Sequence, residues 1–121
     1  STLSVPVTRA AQHLGIGIGT DPIPEQALFI RSDHFSFARI GVPSAYFKSG
    51  VDFLDRPEDR RRMKASYTAT HYHQVTDEMA PWWNLQGAAE DAKLVLECLL
   101  RTANADAAPT WTPGDEFEKL R

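Results

Sequence analysis

Between Ala27 and Phe47 the chain reads as apolar run, helix, apolar run, and no other stretch restricts the fold as much. Ala27-Leu28-Phe29-Ile30 has the continuous apolar character of a strand buried on both faces. Ser32 or Asp33 stands where a helix cap belongs; Phe37, Ala38 and Ile40 supply the helix's apolar side, and Gly41 is its stop. Beyond Val42-Pro43, the segment Ser44-Ala45-Tyr46-Phe47 reads as a second strand, closed by Ser49-Gly50. Strand, helix and strand in so short a span make a crossover unit, which predicts a parallel sheet covered by helices.

The flanking segments read as helices and loops. Leu3, Val7, Ala10, Ala11 and Leu14 recur at helical spacing, predicting an amphipathic helix that ends near His13, with Gly15 as its left-handed stop. His13 then reads as a last-turn surface histidine favoured by the helix dipole. Gly15-Ile16-Gly17-Ile18-Gly19 is not a phosphate loop, because the glycines follow a helix and Thr20 stands where the fingerprint's last glycine belongs. Pro57 opens a short charged helix through Lys64, and Ala65 to Val75, without helical period, reads as a long loop. Leu85, Ala88, Ala89, Ala92, Leu96, Leu99 and Leu100 share one face of a packing helix with Asn84 as its N-cap. From Ala103 onward Pro109 and Pro113 interrupt regular structure, leaving Trp111 and Phe117 to fasten the tail to the body.

Composition narrows the function. With 13 Lys+Arg against 16 Asp+Glu the chain carries a formal charge of −3, without the basic excess of a nucleic-acid binder. The local basic run Arg56, Arg60, Arg61, Arg62 and Lys64 reads as a solvated helix face. A single cysteine, Cys98, rules out an internal disulfide and any Cys-rich zinc site, and its apolar neighbours make it a small buried hydrophobe. The longest apolar stretch, Leu94 to Leu100, is interrupted by Glu97 and falls far short of a bilayer span, so no membrane partner is expected. Ser1-Thr2-Leu3 has neither an initiator Met nor a signal core, and reads as the interior of a longer chain.

Two places carry chemistry. Ser32-Asp33-His34 spells a triad in order, but adjacent residues cannot form the serial hydrogen bonds of nucleophilic catalysis, and no Gly-x-Ser-x-Gly elbow occurs. Asp33 nonetheless falls at the carboxyl end of an expected strand, where open α/β sheets place ligands; helix capping is the competing explanation. His71-Tyr72-His73, with Asp77 and Glu78 behind, offers the imidazole and carboxylate ligands of zinc, although spacing alone equally suits surface or capping histidines.

Taken together, Arg31-Ser32-Asp33-His34-Phe35 through Gly41-Val42-Pro43-Ser44, followed some distance on by Tyr72-His73-Gln74-Val75-Thr76-Asp77-Glu78, closely resemble the C-terminal part of the di-zinc aminopeptidases of the bacterial leucine aminopeptidase type. Asp21-Pro22-Ile23-Pro24-Glu25 also fits that family's style, and the similarity runs from about Ser1 to about Leu100. The resemblance implies an α/β fold, the terminal part of a mixed, mostly parallel sheet with helices on both faces. Residues 1–102 would then be the end of a zinc peptidase catalytic domain and 103–121 a C-terminal tail. It further implies that His73 ligates one of two zinc ions, that Tyr72 hydrogen-bonds the tetrahedral intermediate, and that Asp33 orients the metal site. Tyr72 favours a peptidase over the related glutaminyl cyclases, which usually carry Trp-His at this point.

The family's remaining ligands and general base come from an upstream His-x-Asp and Glu-Glu. None of the four histidines here is followed two residues later by Asp, and Glu-Glu does not occur. The chain is therefore expected to need a missing N-terminal part as its partner, to act on peptide substrates as part of a complete aminopeptidase, and to be inactive alone. A periplasmic or secreted location is implied by the same resemblance. Oligomerisation is a further expectation, since isolated sheet edges and apolar faces associate. The competing function is a non-catalytic binding or oligomerisation module that keeps the fold.

Overall fold

The computed structural model describes residues 1–50, 56–81 and 83–120. Its architecture is helical: α1 (Ser4–Leu14), a 3₁₀ turn at Pro24–Gln26, α2 (His34–Ala38), α3 (Pro57–Thr70), α4 (Gln86–Ala103) and a 3₁₀ turn at Glu118–Leu120. Two compact units are built from it, one comprising Ser1–Phe47 with Ala89–Arg121 and the other Lys48–Ala88.

The expected sheet is not formed: among the described residues there is no strand, which corrects the α/β assignment. The reason lies in local hydrogen bonding. Ala27 takes a left-handed φ of 48°, and the next residues close back on themselves, Arg31 N–H donating to Ala27 O at 3.1 Å and Ser32 N–H to Phe29 O at 3.4 Å. Leu28, Phe29 and Ile30 therefore spend their apolar character in turns. A strand exists only as half of a ladder, so Ser44–Phe47 has no partner there to pair with.

The first unit forms around helix ends that the sequence marks clearly. Gly15, at φ 67°, stops α1: its N–H donates to Gln12 O (3.3 Å) and that of Ile16 to Ala11 O (2.8 Å), the paired bonds of a Schellman cap. Gly41, at φ 83°, repeats the motif after α2, with Gly41 N–H to Ala38 O at 2.9 Å and Val42 N–H to Phe37 O at 3.1 Å. In the second unit Asn84 stands one residue before the cap position of α4, which begins at Gln86, and its Oδ1 accepts the N–H of Gln86 at 2.9 Å.

Small side chains let α1 and α4 approach. Ala10, Ala11 and Cys98 are buried, and Cys98 Sγ lies 4.0 Å from Pro6 O. The tail then completes this core as expected. Trp111 Nε1 donates to Gly41 O at 3.1 Å, and buried Phe117 meets the rings of Phe29, Phe35 and Trp111 at centroid distances of 6.2, 6.2 and 5.0 Å. Full burial of such a ring contributes about 2–3 kcal/mol.

In the second unit α3 continues to Thr70, six residues past the expected end at Lys64, so most of the expected loop is helix. Thr68 and Thr70 hydroxyls return to the carbonyls of Lys64 and Ser66 (2.9 and 2.8 Å), and the helix has no apolar stripe because it is largely exposed. Periodicity reports burial, so a helix without a buried face escapes it. The basic run does lie on a solvated helix, where Arg61 pairs with Glu58 at 2.6 Å and Arg62 with Asp59. No helix of the described residues is long and apolar enough to cross a membrane.

Candidate functional site

Tyr72 and His73 sit on the turn that ends α3. The N–H groups of His71 and Tyr72 both donate to Tyr67 O, at 2.8 and 3.1 Å, closing the last helical turn. Gln74 N–H then donates to His71 O at 2.8 Å, and His73 inside this turn has φ 61°. Left-handed backbone is uncommon for a residue with a Cβ and persists only where neighbouring bonds enforce it. The turn leaves both side chains exposed, the Tyr72 ring stacked on the His73 imidazole at 3.9 Å with 22° between planes.

His71 behaves differently from His73. Thr70 Oγ1 donates to Ser66 O, so the 2.6 Å contact between Thr70 Oγ1 and His71 Nδ1 places the proton on the imidazole. Its ring lies flat against Tyr67 at 5.9 Å and 10°. The two imidazoles of His-x-His thus have separate neighbours, one folded back on the helix and the other presented outward.

The far side of the turn is held by Tyr67, which lies in α3 within the expected loop. Its hydroxyl donates to Asp77 Oδ1 at 2.7 Å, and Thr76 Oγ1 donates to Thr70 O at 2.9 Å. The bond to Asp77, then burial and the nearby carboxylate charge, hold the Tyr67 phenol above its ordinary value of 10.0. A Tyr ten residues before an Asp across a helix end was the available signal, visible only once the helix end is placed.

Asp33 belongs to the other unit. It precedes α2 with φ −58° and ψ −25°, already helical, and its side chain makes no capping bond, so the capping explanation fails: a cap residue needs extended backbone to reach the N–H groups ahead of it. Ser32 does not cap either. Its hydroxyl donates to Phe29 O at 2.9 Å and lies 3.0 Å from His34 Nδ1. The apolar groove between α1 and α4, lined by Leu14, Leu96 and Leu100 among others, contains none of Asp33, Tyr72 or His73.

Among the described residues no three of His, Cys, Asp and Glu come together as a metal-holding group. A structural zinc takes four protein ligands and a catalytic one about three, so the described residues do not make a self-sufficient centre. At the turn after α3 they present one exposed imidazole, His73, beside a tyrosine.

A profile of peptidase family M28 matches residues 1–97, a span that takes in Asp33, Tyr72 and His73. This defines the class as the zinc-type, aminopeptidase-related peptidases, hydrolases that are generally zinc-dependent. The chain belongs to peptidase family M28. Neither a curated protein nor a solved structure matches it.

Proposed function

We propose that this chain is the part of an aminopeptidase that contributes Tyr72 and His73 to hydrolysis of the amino-terminal peptide bond of peptides. The observation that carries the reading is the turn at residues 71–74, which spends backbone strain at His73 to present a phenol and an imidazole side by side to solvent. In this reading His73 is a single ligand among the residues that hold two zinc ions in the complete protein, the others coming from outside the chain. The Tyr72 hydroxyl donates a hydrogen bond to the substrate carbonyl oxygen as that oxygen gains charge, and Asp33 orients a metal-holding residue. With one ligand of its own, the 121-residue chain has no activity.

The test is kinetic and uses the complete protein with aminoacyl-anilide substrates. Tyr72→Phe lowers kcat by roughly 10- to 1,000-fold with KM little changed, the range for one hydrogen bond made only in the transition state. His73→Ala loses metal content and activity together. A Tyr72→Phe variant that raises KM and keeps kcat would remove the phenol from the chemistry.

A further inference from the structure

The segment from Tyr72 to Met79 has almost nothing to rest on. Tyr72 is 51% exposed and Val75 95%, so packing does not hold the turn. Its shape must come from hydrogen bonds and ring contacts, and beside the bond from Thr76 Oγ1 to Thr70 O several of these converge on one residue. The carbonyl of Tyr67 accepts the N–H of Tyr72 itself and that of His71. The Tyr67 ring stacks on His71 and takes Trp83 edge-on at 6.1 Å and 77°. Its hydroxyl reaches across to Asp77, on the far side of the turn. Tyr67 thus grips both flanks of a turn whose central residue is held in left-handed backbone.

We infer that Tyr67 is a positioning residue: its hydroxyl bond to Asp77 and its contacts at the helix end together fix the turn that presents Tyr72 and His73. The inference rests on the proposed function for its catalytic consequence, but not for its structural one. Misplacing a reacting group by about 1 Å can cost a hundredfold in rate, so a side chain that touches no substrate can govern turnover through this turn.

The experiment uses the complete protein and three variants. Tyr67→Phe removes the hydroxyl and keeps the ring on His71 and Trp83. Asp77→Ala removes the acceptor, and Asp77→Asn keeps a carbonyl oxygen where Oδ1 stands. Amide hydrogen exchange is read on the peptide covering residues 71–78, alongside kcat and KM. Tyr67→Phe and Asp77→Ala should each speed exchange in that peptide and lower kcat by roughly ten- to a hundredfold with KM within about twofold. Asp77→Asn should restore both, and the double variant Tyr67→Phe with Asp77→Ala should be no worse than either single change. Exchange that stays slow in Tyr67→Phe and Asp77→Ala would overturn the inference whatever the activity. Faster exchange with kcat unchanged would leave the grip on the turn standing and instead sink the assignment of Tyr72 and His73 to catalysis. Should Tyr67→Phe fold poorly, the Asp77 pair, which leaves the ring in place, decides alone.

Discussion

His13 Nδ1 stands 2.8 Å from both carboxylate oxygens of Glu97, joining the last turn of α1 to the middle of α4 across 84 positions of sequence. The same carboxylate takes the guanidinium of Arg101, whose Nε donates to Glu97 Oε1 at 2.9 Å. His13 is therefore half of a clasp between helices, where the sequence pointed to a helix-dipole partner alone.

The clasp sets how the first unit responds to acid. The His13 bond, followed by that of Arg101, holds the Glu97 carboxyl below its ordinary 4.5. A depressed carboxyl contributes stability that is present above the unfolded value and is lost as pH falls through the folded one. Thermal unfolding followed from pH 7 to pH 2 should show the melting temperature dropping below about pH 4.5, with Glu97→Gln lowering it at neutral pH and flattening the acid limb. An acid limb of the same depth in Glu97→Gln would assign it to other carboxylates.

For Asp33 the absent capping bond makes a sharp forecast. A true cap costs about 0.5–2 kcal/mol when changed to Ala. Asp33→Ala should fall below the bottom of that range in urea unfolding, while Asp33→Asn in the complete protein lowers activity by about 10- to 100-fold if the carboxylate orients a metal-holding residue. A destabilised variant of intact specific activity would restore the capping role.

His73 should separate backbone strain from side-chain chemistry. With φ at 61°, a residue bearing a Cβ costs about 1–2 kcal/mol that glycine does not. His73→Gly should therefore unfold at higher denaturant than His73→Ala, by about 1 kcal/mol, although both lose the imidazole equally. Equal stability would mean that the turn relaxes once the ring is gone.

Cys98 reports on the contact between α1 and α4. It is 6% exposed, and burial pushes its thiol above the ordinary value of 9.0. Since the thiolate is the reacting species, alkylation of the folded chain at pH 8 should run at least roughly tenfold slower than in denaturant. Equal rates would show that the two helices part freely.

What the sequence disclosed follows burial and local chemistry. Leu3, Val7, Ala10 and Leu14 pointed to α1, and Gly15 and Gly41 marked helix ends where a Cβ is unwelcome, because both signals are local. Leu28 and Ile30 misled, because an apolar run says only that a segment wants cover; Ala27, at φ 48°, turns the run back on itself. Ala65 to Thr70 misleads for the opposite reason, being helix without a buried face. At the site, the residue types at positions 72 and 73 were legible, whereas the grip of Tyr67 on Asp77 depends on where α3 stops and on nothing periodic.

The ring of Phe117 gives the tail a meaning of its own. The family profile stops at residue 97, within α4, yet one of the most enclosed aromatics of the described core is contributed twenty positions later. The stretch inherited as a recognisable peptidase and the stretch that must be present for the helices to hold together are therefore different lengths. Cleavage in the exposed Ala105–Ala108 segment would spare every position that the profile reads, and would still release the tail whose Phe117 meets Phe29 and Phe35 and whose Trp111 bonds Gly41 O.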